Sequence, residues 1–364
     1  MRPTAASATL CLCLASLGCD GSEAGVPQGA VDSCVSDDDC GVGLGCRAGL
    51  CAEDPGTSEY ADTSGGSDPP GDADMGSADR ADMTGPPVEV SQPEPAPLAP
   101  YEGVCPTFTN GAMTFNSAGR SRSMTVTLPA DPTNAPVVFI YHGNGDTSAN
   151  ISSFFRAQTV ADQLGALVIA PQSCCGMMSW PFLDVDPSEY PQVPFPIEED
   201  PAPDLSLFDD VLSCLDEAYG IDRRRVYATG FSAGGLWATY LVLHRAQYRA
   251  SAAVFSAGVG LAVRPTTPET KVPVLVGHGG PNDSFNLMIL QVFFQEHAEA
   301  FYDLLTTEGH FAALCNHGTG HDMPFDGPNW LYTFLFAHEF GQVESPLKDP
   351  AQRGAFPSYC EWTR

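Results

Sequence analysis

From about residue 101 onward, short solid runs of apolar residues alternate with stretches in which apolar residues recur every three or four positions. Pro136-Val137-Val138-Phe139-Ile140-Tyr141 is a continuous apolar run, the pattern of a strand covered on both faces. Ala166 to Ala170, Arg225 to Thr229, Ala252 to Phe255, Val272 to Val276 and Ala312 to Cys315 read as further strands. Between them the helical spacing predicts elements over Phe154 to Leu164, closed by Gly165, and through Phe208, Val211, Leu212, Leu215 and Tyr219, with Gly220 at the C-terminal cap position. Gly235 to Arg245, Leu290 to Thr307 and Asn329 to Phe340 read as later helices, and Met113 to Leu128 as a leading antiparallel hairpin turning at Ser117-Ala118-Gly119. A repeated β-α order with short connections predicts an α/β domain, doubly wound around a mostly parallel sheet.

Before residue 101 this pattern is absent. Arg2 followed by the apolar run Ala5 to Leu17 is too short to span a bilayer and predicts an export signal over residues 1–18. Ser16-Leu17-Gly18-Cys19-Asp20 resembles a bacterial lipobox, which implies a lipid on Cys19 as the mature N-terminus; simple cleavage and release is the alternative. Residues 19–51 hold Cys34-x5-Cys40-x5-Cys46-x4-Cys51, similar to small Cys-rich repeats of exported proteins. So short a segment cannot bury a core and predicts two disulfides, whose pairing spacing does not choose. A zinc site fits less well, because the segment has no His and lacks closely paired cysteines. Residues 52–100, rich in Pro, Gly, Ser, Thr and Asp, predict a disordered linker, and residues 101–364 the folded domain.

Charge narrows the partners. The formal net charge of the 364-residue chain is -29, which argues against nucleic acid and against electrostatic attachment to anionic lipid. Asp20 to Glu102 carries eighteen acidic and two basic residues, so more than half of that charge sits in the N-terminal segment. Thirteen cysteines suit an oxidising compartment; six of them, Cys105, Cys174, Cys175, Cys214, Cys315 and Cys360, lie in the expected domain. Cys174-Cys175 is expected to staple the long segment Ser173 to Pro203, with Cys214 as a candidate partner.

The chemistry concentrates at Gly230-Phe231-Ser232-Ala233-Gly234, a G-x-S-x-G pentapeptide between an expected strand and an expected helix. In that setting the pentapeptide forms a nucleophile elbow, a sharp turn that lifts the Ser hydroxyl above the sheet edge. A Ser hydroxyl needs a base, and the base an orienting carboxylate, in the chain order Ser, acid, His. Asp283, in the Gly-rich loop after the Val272 strand, is the candidate acid; Asp303 on a helix and Asp322 beside the base fit less well. His321, after two glycines, is the candidate base and His317 its rival, while His244, His278, His297, His310 and His338 read as helix-surface or loop residues. An oxyanion hole needs backbone amides, expected from Ala233 and, in the loop Tyr141-His142-Gly143-Asn144-Gly145-Asp146, from Asn144. The aromatics of the 173–203 segment, Trp180 foremost, are candidates for contacting substrate; packing the long loop onto the domain is the alternative. No metal or organic cofactor is called for.

Asp222-Arg223-Arg224-Arg225-Val226-Tyr227-Ala228-Thr229-Gly230-Phe231-Ser232-Ala233-Gly234-Gly235 closely resembles the D-x-x-R-V-Y-x-T-G-x-S-x-G-G signature of α/β-hydrolase esterases similar to polyhydroxybutyrate depolymerases, feruloyl esterases and acetyl xylan esterases. Tyr141-His142-Gly143, His278 to Asp283 (with one extra residue) and Gly320-His321 fall on that group's other motifs, and the resemblance runs from Cys105 to Phe340. It implies an α/β-hydrolase fold and an exported serine hydrolase acting on carboxylic esters, with plant cell-wall polysaccharide or polyester among the substrates. A serine peptidase of the same fold, or a surface-binding module without catalysis, are the rival readings.

Overall fold

A computed structural model describes residues 44–47, 50–53, 93–191, 193, 195–287, 290–324, 327–342 and 344–363. The expected signal segment, Cys19 and the disulfides of the Cys34 to Cys51 cluster lie outside the described residues. Leu44–Arg47 and Leu50–Glu53 form an antiparallel hairpin, in a unit separate from the larger domain.

The domain is organised by a nine-stranded sheet: β1 (Gly111–Ser117), β2 (Arg120–Thr127), β3 (Val137–Tyr141), β4 (Leu167–Pro171), β5 (Val226–Phe231), β6 (Ser251–Phe255), β7 (Val274–His278), β8 (Ala312–Asn316) and β9 (Cys360–Trp362). The spatial order is β9-β8-β7-β6-β5-β3-β4-β2-β1. The six strands from β4 to β8 in this order are parallel, and β1, β2 and β9 are antiparallel to their neighbours. Alternation along the strands divides the core. Val137, Phe139 and Tyr141 face a cluster with α3 (Ala202–Tyr219), α4 (Ala233–His244) and α5 (Phe294–Thr307). Val138 and Ile140 face a second cluster with α1 (Ser148–Phe154), α2 (Ala157–Leu164) and α6 (Gly327–Phe336). Both sheet faces are thus covered, which is why these strands read as solid apolar runs rather than alternating ones.

Register positions the site. Tyr141 pairs with Gly230, Phe231 with Phe255, Phe255 with Gly277, and His278 with Asn316. The loops after β3, β5, β6, β7 and β8 therefore leave the sheet along one rim. Chain order reverses around β3, since β4 lies on one side of it and β5 on the other, and ligands of open α/β sheets bind at such a switch point.

Several boundaries differ from the sequence expectation. The helix expected over Phe154 to Leu164 is two helices, with Arg156 between them at φ 54°. The Phe155 carbonyl is taken by the Tyr332 hydroxyl at 2.6 Å, which turns the chain away from a continuous helix. Residues Ser284–Leu287 and Leu290–Phe293 form a hairpin, so α5 begins at Phe294, whose amide donates to the Asp283 carbonyl at 2.9 Å. Strand β9 was not expected; it pairs with β8 and is bridged to it by Cys315–Cys360. Cys214 pairs with Cys105, and Cys174 with Cys175, so the expected staple from the 173–203 segment to Cys214 is not formed. The domain also begins earlier than residue 101. The Ala96 amide donates to the Gln247 carbonyl at 3.1 Å, Glu94 pairs with Arg224 at 3.1 Å, and Leu98 packs on the core. The last residues of the expected linker, from Pro93, are therefore part of the fold.

Candidate active site

The elbow is built by close approach. A Cβ on Gly234 would lie 2.0 Å from the Tyr141 carbonyl oxygen, so no other residue fits there without moving β3. Ser232 takes φ 56° and ψ -125°, a conformation that costs a non-glycine residue about 1–3 kcal/mol. It is held because the Ser232 amide donates to the Phe255 carbonyl at 2.9 Å and its carbonyl accepts from Leu236 at 2.9 Å. Helix α4 then runs back through the core, with Ala233 to Thr239 and Leu241 to Leu243 all buried, as expected of a helix apolar on every side. The Ala233 amide sits in its first turn, where no intrahelical acceptor exists.

The structure brings Ser232, His321 and Asp283 together. His321 Nε2 lies 3.0 Å from Ser232 Oγ and Nδ1 lies 2.7 Å from Asp283 Oδ1. A carboxylate only accepts, so the proton belongs on Nδ1 and Nε2 presents its lone pair to the hydroxyl. Asp283 is buried, and its second oxygen accepts from the Gly279 amide and from Ser256 Oγ, both at 2.8 Å. The His321 loop is docked onto the acid loop by Gly320 N–H donating to the Gly279 carbonyl at 2.9 Å. A Cβ on Gly279 would meet the Gly320 oxygen at 1.8 Å, so this docking requires glycine. Phe294 stacks on the imidazole, with centroids 4.7 Å apart and planes 13° apart, and Phe231 lies 5.0 Å away. His317 points elsewhere, its Nδ1 2.7 Å from Thr319 Oγ1.

Sequence reasoning missed Ser256, which has φ 44° and orients the acid from the end of β6. Its only signal was a small polar residue directly after a buried strand beside the elbow strand.

On the other side of Ser232 lies the loop after β3. A Cβ on Gly143 would sit 3.5 Å from Ser232 Cβ, so this loop abuts Ser232, and Asn144 comes next on the exposed side. His142 is fully buried. Its Nε2 accepts from the Ser173 amide at 3.1 Å, so Nδ1 carries the proton and donates to the Gly143 carbonyl at 2.8 Å. Burial lowers its pKa below the ordinary histidine value, which keeps it neutral.

Trp180, the candidate for contacting substrate, does not lie at the surface. It is 0% exposed, stacked on Trp237 at 5.9 Å, and its Nε1 donates to the His142 carbonyl at 2.9 Å. An indole ring is large enough to fill the space beneath the loop and has a single donor for its carbonyl; its place is structural. Nor are His278, His297, His310 and His338 surface residues. All four are buried, their pKa values lowered by desolvation, that of His338 to about 4. Among the described residues no group of His, Cys, Asp or Glu is arranged to hold a metal.

A sharp strand–turn–helix elbow carrying Ser232 beside the switch point of this sheet order is that of the α/β-hydrolase fold. No family model matches the sequence. The chain is 25% identical over 189 residues to the bifunctional acetylxylan esterase/xylanase XynS20E of Neocallimastix patriciarum, covering 50% of this chain and 25% of that protein. It is 27% identical over 205 residues to NocK, named as an esterase, of Nocardia uniformis subsp. tsuyamanensis, covering 51% and 56%. The matched part thus spans a quarter to about half the length of these curated relatives. Among solved structures, a complex of a pOPH variant with DMSO superposes with a TM-score of 0.54 at 17% identity, over 73% of this chain and 97% of that one. Native pOPH gives 0.53 at 18%, over 71% and 97%.

Proposed function

We propose that the domain is a serine hydrolase of carboxylic esters. Ser232 Oγ attacks the ester carbonyl as His321 Nε2 removes its proton, and Asp283 stabilises the imidazolium that forms. The Ala233 and Asn144 amides donate to the oxyanion. His321 then returns the proton to the departing alcohol, and a water activated in the same way releases the acid. The observation that carries this reading is the continuous chain of hydrogen bonds from Ser232 Oγ through His321 to Asp283, 3.0 Å and 2.7 Å long. The two curated relatives, both named as esterases, support it.

The substrate class we propose is an acyl ester carried on a plant cell-wall polysaccharide or a polyester, with acetyl or feruloyl esters of xylan first; XynS20E is named for the acetyl case. The domain's three disulfides fit an oxidising compartment, which supports export through residues 1–18; anchoring by a lipid on Cys19 is proposed from the lipobox resemblance alone. A panel of short-chain nitrophenyl esters set against aminoacyl amides tests the activity. Ester turnover with little amide turnover is expected. The reverse ranking would make the protein a peptidase, and no turnover of either would leave a binding module.

A further inference from the structure

Most of the hydrogen bonds that hold the loop after β3 come from one short stretch, residues 172–180, which holds none of the three reacting groups; Asn150 adds one, to Asp146. Its first part holds His142: the Ser173 amide donates to Nε2, and Gln172 Nε2 lies 3.0 Å from the same atom. Gln172 Oε1 also accepts from the Ser148 amide at 2.8 Å, beyond the loop. The last part of the stretch holds the loop from the His142 carbonyl to Gly145. Trp180 takes that carbonyl, Ser179 Oγ donates to Asn144 Oδ1 at 3.0 Å, and the Gly145 amide donates to Ser179 Oγ at 3.3 Å. Gly176 and Ser179 exchange backbone hydrogen bonds of 3.1 and 3.0 Å, and Glu199 accepts from the Met177 amide, so this part is itself braced. Between the two parts stand Cys174 and Cys175, joined to each other.

A disulfide between neighbours does little for global stability. In the chain-entropy account the gain grows with the length of loop closed. Cys105–Cys214 and Cys315–Cys360 span 109 and 45 residues, whereas Cys174–Cys175 spans 1. Its effect must be local, on the peptide it encloses. We propose that Cys174–Cys175 is a positioning element of the oxyanion site: it stiffens the joint between the two parts of the clip, and so holds the Asn144 amide toward the carbonyl being attacked. This rests on the ester-hydrolase reading of Ser232.

The pair is also reachable. Both cysteines are exposed, whereas each of the other two bridges has one cysteine at 0–1% exposure, Cys214 and Cys315. A dithiol such as dithiothreitol passes two electrons and two protons to the Cys174–Cys175 bond, leaving two thiols, and closes its own disulfide in exchange.

The test compares the full-length protein with its C174S/C175S variant, using p-nitrophenyl acetate. The kcat is expected to fall roughly tenfold, a fraction of the 10²–10³ lost with an oxyanion donor, with KM within about twofold. Mild dithiothreitol treatment should reproduce the loss, with peptide mapping of a quenched, alkylated aliquot showing that within the domain only Cys174 and Cys175 are reduced; reoxidation of the unalkylated sample should reverse it, and the variant should not respond. Hydrogen exchange at residues 142–146 should speed up in the variant while the thermal midpoint stays within about 3 °C. Unchanged kcat, or a loss that merely tracks a lowered midpoint, overturns the proposal. Unchanged exchange at 142–146 overturns it too, even in a protein that hydrolyses no ester, so its failure is distinct from failure of the ester-hydrolase reading.

Discussion

The two flanks of Ser232 are held by different means. On the flank proposed for acid–base chemistry, Asp283 and His321 sit on loops leaving adjacent parallel strands, and their bonds run directly to each other, to Ser256 and to the Gly279 amide. On the flank proposed to hold the oxyanion, the loop after β3 is held from outside the sheet, by residues 172–180 of a long insertion. One flank is fixed by strand register and the other by a clip. On the ester-hydrolase reading, the difference teaches where tolerance lies: changing Asp283 or His321 removes a reacting group, while a change in the clip lets a still-intact group drift.

Substitutions should separate the flanks by size of effect. Ser232→Ala is expected to remove ester turnover by on the order of 10⁶-fold with the far-UV circular dichroism unchanged; residual hydrolysis close to wild type would mean the elbow is not the site. Asp283→Asn should lower kcat by about 10⁴, because the amide no longer holds Nδ1–H toward itself and Nε2 loses its role as acceptor. A loss of only a few-fold would reassign the acid.

Acid should act on stability through the sealed imidazoles, of which His142 is the one on the oxyanion flank. The folded pKa values of His142 and His338 are depressed by burial, that of His338 to about 4. The unfolded chain takes up protons first, so their contribution is whole above about pH 6.5 and is lost as pH falls toward the depressed values. His338 alone is worth on the order of 3 kcal/mol between these limits. Thermal melts at pH 7.5, 6 and 5 should show a falling midpoint, and a flat profile would contradict the sealed, neutral state. The smallest effect is expected in the clip: Trp180→Phe keeps an aromatic ring against Trp237 but removes the donor to the His142 carbonyl, and should cost about tenfold in kcat at constant KM. A drop as large as that of Asp283→Asn would erase the distinction between the flanks.

Legibility in the sequence divides along the same line. The parallel strands could be read because burial on both faces leaves solid apolar runs, and the elbow because its backbone approach demands glycine at Gly230 and Gly234. Asp283 and His321 could be named because they fall after strands in a fixed chain order. The clip could not be read this way. Trp180 looked like a ligand contact because an aromatic residue in a loop gives the same signal whether it lines a cleft or fills the space beneath a loop. Pairing of Cys174 with its neighbour, Cys214 with Cys105, and the edge strand carrying Cys360 depend on contacts between distant segments that local spacing does not encode. Arg156 broke an expected helix for a similar reason, since the Tyr332 hydroxyl that takes the Phe155 carbonyl comes from α6.

The central claim is that Ser232 is made nucleophilic by His321 and Asp283 at the rim of the sheet. Its most direct test is fluorophosphonate labelling of the folded protein, then peptide mapping. The account predicts a single stoichiometric adduct on Ser232, formed at a rate that collapses in His321→Ala while that variant keeps its thermal midpoint. A folded protein that gains no adduct on Ser232, or one whose His321→Ala variant labels at the wild-type rate, would contradict it.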